Sequence, residues 1–172
     1  MAKDYRKFLA GQMGESLVVA ELARLGIVAT SFSGNLPDAD IVAFYEGRNI
    51  HVQVKAMRTV SAHSNARTFL DIAFDGPKQI IKGRKALPES GLIYVYVKLG
   101  DSAGQDRFFI LTYGDMQDII YEGYRSYLAS KGFIRPKNPA STHCSIGESD
   151  LLKFENNWDL IKGRLGIPVA SS

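Results

Sequence analysis

The sequence predicts an α/β fold in which a central mixed β-sheet is flanked by helices. Residues 4–25 have the apolar period of an amphipathic helix, two strand-like segments joined by a tight turn occupy 40–57, and a nearly continuous apolar run spans 92–99. Helical and strand patterns are interspersed along the chain rather than separated into two runs. Helices packed on the faces of one sheet are therefore the expected architecture.

Length and composition exclude several classes of protein. A chain of 172 residues with 45% hydrophobic and 23% charged residues is expected to form one domain, 1–172. The single cysteine, Cys144, excludes a disulfide within the chain and a cysteine-based zinc site, and it is typical of a reducing cytoplasm. We expect no secretory signal and no membrane association, because no apolar run approaches the ~20 residues of a membrane span. The net charge of +3 permits nucleic-acid binding without arguing for it.

The predicted first helix carries a carboxylate on its apolar side. Val18, Leu22 and Leu25 recur at helical spacing, and at about 100° per residue Glu15 lies on their side of the helix. A carboxylate on a core-facing stripe is costly unless it is paired or binds a metal. Glu15 is therefore a candidate site residue, and the alternative is a carboxylate at the edge of the stripe that reaches water.

The two strand-like segments place polar groups at one end of a hairpin. Asp40 opens an apolar strand, and Gly47 supplies a turn that permits a positive φ. In the second strand His51, Gln53 and Lys55 alternate with apolar residues, as they would on any half-buried strand. In the hairpin a carboxylate, an amide oxygen and an ammonium group would converge.

The other elements follow from apolar runs and turn residues. Strands are predicted at 27–32, 69–74, 92–99 and 107–112, helices at 77–87, 115–130 and 148–165, and exposed or irregular segments at 59–67 and 132–147. Pro77 suits a first helical turn and Pro88 suits a helix end, which favours a helix between them. Residues 114–165 are expected to form a helical elaboration of the core.

These residues, in this order, resemble the PD-(D/E)xK nuclease superfamily. The matching pieces are Pro37-Asp38 with Asp40, and then Gln53-Val54-Lys55, where the family usually has an acidic residue in place of the glutamine. Within the core motif region, 4–58, the resemblance extends back to Glu15. It implies a restriction-endonuclease-like, or Holliday-junction-resolvase-like, fold and a metal-dependent endonuclease that acts on DNA.

The resemblance also implies a catalytic role for each of four residues: Glu15, Asp40, Gln53 and Lys55. Asp40, Gln53 and Glu15 would hold Mg²⁺ or Mn²⁺ through hard oxygen ligands, and Lys55 would orient or help to deprotonate the attacking water. Asp38 competes with Asp40, which we prefer because it directly abuts the apolar strand. Gln53 lowers the negative charge of the site by one relative to a carboxylate, so weaker metal binding is expected.

Basic residues outside this motif are candidate DNA contacts. Lys78, Lys82 and Lys85 recur at helical spacing in the predicted helix 77–87, and Arg58 follows the hairpin. The alternative is an ordinary solvated helix face. The competing functions are a nucleic-acid-binding module that does not cleave, which Gln53 keeps open, and a small protein-interaction domain. Because cutting both strands is simplest with two sites related by a two-fold axis, a homodimer is a further expectation.

Overall fold

The computed structural model describes residues 5–32, 39–87 and 91–169, which fold around a five-stranded mixed sheet. In chain order the elements are α1 (Arg6–Arg24), β1 (Val28–Ser31), β2 (Ile41–Tyr45), β3 (Arg48–Met57), β4 (Ser61–Asn65), α2 (Ala66–Phe69), β5 (Leu70–Asp75), β6 (Lys78–Arg84), β7 (Ile93–Lys98), β8 (Arg107–Thr112), α3 (Tyr113–Ala129), β9 (His143–Gly147), α4 (Glu148–Leu151) and α5 (Asp159–Leu165). The order in the sheet is β1-β2-β3-β7-β8; β3 and β7 are parallel, and the other neighbours are antiparallel. None of the described helices is long and apolar enough to cross a membrane.

Helices cover both faces of the five-stranded sheet, which confirms the predicted architecture. On one face, Val18 of α1 and Ile161 of α5 belong to the same apolar cluster as Val95 of β7. On the other face, Met116 of α3 packs in a cluster with Tyr96. Residues 93–97 of β7 are all buried, as the apolar run predicted, because this strand lies between helices on both sides.

β3 pairs with two different strands along its length. Its first half pairs antiparallel with β2, from Tyr45 opposite Arg48 to Ile41 opposite Val52. Its second half pairs in parallel with β7, over residues 52–57. The turn before it places Glu46 at φ 43° and Gly47 at φ 82°, the positive values of a tight hairpin whose twist matches its strands. The end of β3 therefore extends beyond the point where β2 begins.

The prediction of a helix at 77–87 is wrong. Residues 78–84 of this range form β6, which pairs with β5 in a hairpin. Gly76, at φ 53°, and Pro77 form the turn of this hairpin rather than a first helical turn. Gln79 is fully buried, and its side-chain amide donates to the carbonyls of Pro139 at 2.6 Å and Ser141 at 2.9 Å. The burial of this strand position could not be inferred from the sequence, because the buried side chain is polar and its hydrogen-bond partners lie far along the chain.

Two polar strands were also missed. The predicted exposed loop at 59–67 contains β4, and the predicted irregular segment at 132–147 contains its partner, β9. The two strands form a ribbon, the β4–β9 ribbon, which buries few side chains, among them Ala62 and Ile146. Because most of its residues are polar, both strands resemble loops in the sequence. The predicted last helix, 148–165, is broken into α4, a 3₁₀ turn and α5, and the break includes Asn156 at φ 53°.

Candidate active site

Asp40 lies where β2 begins, beside the projecting end of β3. Its backbone N–H donates to the carbonyl of Val52 at 2.9 Å. Its carboxylate Oδ2 accepts a hydrogen bond from the backbone N–H of Val54 at 2.8 Å and another from the side-chain amide of Gln53. The side chain of Asp40 thus continues the hydrogen-bond ladder past the end of the β2 backbone. Two donors from β3 fix the position of the carboxylate.

Glu15 approaches the same place because α1 packs closely on β3. A Cβ atom at Gly14 would lie 2.9 Å from Cβ of Ala56 and 3.4 Å from Cγ1 of Val54, so glycine permits this approach. Burial raises the pKa of Glu15 above its usual value, and the negative charge of Asp40 raises it further, while Lys55 lowers it. Glu15, Asp40 and Lys55 therefore share one electrostatic environment.

Gln53 and Lys55 line a cleft of about 260 Å³. The other lining residues come from β4, α2 and β7: His63, Ser64, Asn65, Thr68, Phe69, Tyr94 and Tyr96. A shared site predicts that Glu15, Asp40, Gln53 and Lys55 open onto one cavity. Among the described residues, Gln53 and Lys55 line this cleft, and Glu15 and Asp40 do not. Asp40 is linked to the cleft by its hydrogen bond with Gln53. Asp38, the competing aspartate, lies outside the described residues.

The donor set fits a hard divalent cation. The carboxylates of Glu15 and Asp40 and the amide oxygen of Gln53 are oxygen ligands of the kind that Mg²⁺ and Mn²⁺ prefer. Gln53 donates to Asp40 through its nitrogen, which leaves its carbonyl oxygen able to accept or to bind a cation. Within residues 5–32, 39–87 and 91–169, no three His, Cys, Asp or Glu side chains gather in one place. A cation here would thus depend on the glutamine as well as on two carboxylates.

The sequence did not predict that two histidines form a pair next to the cleft. Nε2 of His143 lies 3.0 Å from Nδ1 of His63, which lines the cleft. From the sequence, His143 has no partner at the spacing of a metal site or a catalytic triad. The two residues are 80 positions apart and meet only because β4 pairs with β9, so no local spacing could have revealed them.

The predicted DNA-contacting cations lie on different elements. Arg58 follows β3 and donates to the sulfur of Met13 at 3.6 Å, which places it against α1. Lys78 stands 5.9 Å from the ring centroid of Phe133. The strand register skips Lys82, which is the extra residue of a β-bulge, and Lys85 follows the strand. The predicted lysine ridge is therefore not a helix face.

Comparison with known proteins bears on the fold. No family model and no curated protein matches the sequence. A bacterial homing endonuclease superposes with a TM-score of 0.51 at 12% identity, over 91% of this chain and 93% of that chain. Hjc, a Holliday junction resolvase of the archaeal hyperthermophile Archaeoglobus fulgidus, gives a TM-score of 0.46 at 16% identity, over 93% and 98% of the two chains. The first likeness shows that the chain has the predicted restriction-endonuclease-like fold.

Proposed function

We propose that this protein is a metal-dependent endonuclease that hydrolyses phosphodiester bonds in DNA. The observation that carries the proposal is the carboxylate of Asp40, held by Gln53 and the Val54 N–H in the electrostatic environment of Glu15 and Lys55. These are the residues that the PD-(D/E)xK resemblance assigns to the site. The superposed homing endonuclease supports a nuclease at the level of the fold.

The proposed roles follow from the position of each side chain. Asp40, Gln53 and Glu15 would hold Mg²⁺ or Mn²⁺, which stabilises charge on the phosphate and makes a water more acidic. Lys55 is exposed and lines the cleft, so its amine is able to reach a water or phosphate bound there. It would orient the attacking water and offset the charge of the phosphate.

An electrostatic argument accounts for an uncharged residue at position 53. Asp40 already raises the pKa of Glu15, so each added carboxylate would increase the repulsion among unpaired negative charges. Gln53 supplies an oxygen without this cost, and its N–H₂ group neutralises part of the Asp40 charge by donating to it. We therefore expect the free site to be more stable, and its metal affinity lower, than with glutamate at position 53.

DNA binding is assigned to Arg58, Lys78, Lys82 and Lys85. All four are exposed, although they do not form the predicted helical ridge. Reversing the charge of the three lysines together should weaken DNA binding and reduce its salt dependence, because each phosphate contact contributes roughly 0.9 to the log–log slope. An unchanged slope would return these lysines to ordinary solvated surface.

A homodimer is part of the proposal, because one site per chain is expected to cut one strand at a time. Light scattering over a range of concentrations tests it. A mass of one chain at every concentration would remove the dimer of the free protein and leave the single site.

The nuclease is tested with supercoiled plasmid and a four-way DNA junction in Mg²⁺ or Mn²⁺. We expect cleavage that EDTA abolishes and that Asp40→Asn does not support. The second candidate is a nucleic-acid-binding module that does not cleave, which the uncharged Gln53 favours. That candidate is correct if the native protein binds DNA but neither cuts it nor binds a divalent ion, and if Gln53→Glu gains both properties.

A further inference from the structure

Two of the three histidines of the chain form a pair next to the cleft. In the β4–β9 register, His63 opposes Ser145 and His143 opposes Asn65, so the histidines are diagonal neighbours across the ribbon. Their ring centroids are 4.8 Å apart, and the hydrogen bond joins Nδ1 of His63 to Nε2 of His143. Both side chains are exposed, so core packing does not explain their meeting.

His63 and Lys55 are the basic residues among those that line the cleft, and they come from different strands. The remaining lining side chains are amides, hydroxyls and aromatic rings. Burial raises the pKa of Tyr96 well above its usual value, so this phenol stays neutral and is a poor acid. Imidazole is the side chain best suited to give and regain a proton near neutral pH.

Phosphodiester hydrolysis needs two proton movements, one away from the attacking water and one to the leaving oxygen. In the proposed function Lys55 orients the attacking water, whose proton passes to solvent, and no residue has the second task. Asp40 already accepts two hydrogen bonds from β3 and is the proposed cation ligand, so its carboxylate has another task. This leaves His63, the one imidazole among the described residues that line the cleft.

We propose that His63 is a catalytic residue that protonates the leaving oxygen, and that His143 is a positioning residue that holds it; this inference rests on the proposed nuclease. Nδ1 of His63 and Nε2 of His143 lie within hydrogen-bond distance, so the second ring nitrogen of His63, Nε2, is left for the cleft. The hydrogen bond fixes the orientation of the His63 ring.

The proton balance of the step closes with water as the co-reactant. The water oxygen forms a bond to phosphorus and releases its proton to solvent. The bond between phosphorus and the leaving oxygen breaks with its electron pair on that oxygen, which takes the proton from Nε2 of His63. Solvent then reprotonates His63, so the net reaction consumes one water.

The test compares a leaving oxygen with a leaving sulfur. The linkage that the wild-type protein cuts is mapped first, and synthetic DNA is made with sulfur in place of the leaving oxygen at that linkage. A thiolate departs without a proton, so a general acid is not needed there. We expect His63→Gln to slow cleavage of the oxygen substrate by about 10²–10⁴-fold and that of the sulfur substrate by less than about tenfold.

Matched variants separate catalysis from folding. His51→Gln changes the third histidine, which is not among the described lining residues, and should leave both rates unchanged. His143→Phe removes the hydrogen-bond partner and should also be rescued by sulfur, while His143→Gln keeps an acceptor and should lose less. His63→Asn is measured beside His63→Gln, with circular dichroism of every variant, so that the result does not depend on one replacement.

The outcomes distinguish a failure of the role of His63 from a failure of the proposed nuclease. Equal losses on the two substrates, or full activity of His63→Gln on the oxygen substrate, would overturn the role of His63 while the nuclease stands. A wild-type protein that cuts no DNA would overturn the proposed function, and this inference with it.

Discussion

At the scale of single residues, Asp40 and Lys55 contribute to the site in different ways. Asp40 accepts hydrogen bonds from β3, whereas Lys55 is exposed on the same strand. Because neither side chain fills the core, replacing either should leave the fold intact. The consequences for chemistry and for cation binding should differ.

We predict that Asp40→Asn abolishes cleavage and weakens binding of Mg²⁺, because it removes a negative charge from the ligands. Lys55→Ala should lower the cleavage rate by about 10²–10³-fold while cation binding survives, because the ligands remain. Calorimetric titration of the cation and plasmid nicking on the same preparations measure the two effects. Lost cation binding in Lys55→Ala would show that the two roles are not separate.

Gln53→Glu is a second residue-scale prediction. The new carboxylate should tighten cation binding and leave activity equal or higher, but it should lower the melting temperature in the absence of metal. The physical reason is repulsion among three carboxylates, of which Asp40 already raises the pKa of Glu15. Melting curves with EDTA and with Mg²⁺ check both halves, and a variant that is more stable in EDTA would contradict the electrostatic argument.

At the scale of elements, the contact between α1 and β3 determines where Glu15 sits. Gly14→Ala would bring a methyl group 2.9 Å from Cβ of Ala56, so the helix has to move away. We predict a loss of stability of about 1–3 kcal/mol, together with reduced cleavage because Glu15 moves with the helix. Urea unfolding and plasmid nicking measure the two.

Gly11→Ala is the control for Gly14→Ala on the same helix. A Cβ there has no neighbour within 4 Å, so the change should stabilise the protein by roughly 0.5–1 kcal/mol through helix propensity. Equal effects of the two substitutions would mean that the close approach of α1 does not position the site.

The elements also show what the sequence could and could not reveal. The β2–β3 hairpin was predictable, because Gly47 and strict alternation are local signals. The β5–β6 hairpin was not, because Lys78, Lys82 and Lys85 imitate a helical period while the bulge at Lys82 interrupts the strand period. Within the site, Asp40, Gln53 and Lys55 follow from one hairpin. The pairing of His63 with His143 depends on two polar strands whose meeting only tertiary structure decides.

At the scale of the whole molecule, ion pairs join the C-terminal segments to the end of the sheet. Glu148 pairs with Lys98 of β7 and Arg107 of β8, and Arg107 also donates to both carboxylate oxygens of Glu155, at 2.7 and 2.6 Å. The hydrogen bond from Lys98, and then the charges of Lys98 and Arg107, hold the pKa of Glu148 below its usual value of 4.5. Charge, rather than apolar packing alone, holds α4 to the sheet.

The last prediction concerns the dependence of stability on acid. A carboxylate whose pKa is lowered by folding adds stability above its unfolded pKa, and this contribution disappears as pH falls through the lowered value. Glu148→Gln should therefore lower the melting temperature at pH 7, with a difference that shrinks below pH 4.5 and vanishes in stronger acid. Glu122→Gln, on the exposed side of α3, is the control. A difference that persists in strong acid would point to packing instead.

The hydrogen bond from Val54 to Asp40 also makes the site visible to hydrogen–deuterium exchange. Where β3 projects past β2, the Val54 N–H donates to a side chain rather than to a backbone carbonyl, so its exchange with solvent deuterium depends on the state of that carboxylate. In Asp40→Ala this amide should exchange faster, while the buried strand amide of Val95 keeps its protection. Any ligand that draws the carboxylate away from β3 should produce the same local change. A single amide resonance would thus report the position of Asp40 in the resting protein, with no substrate present.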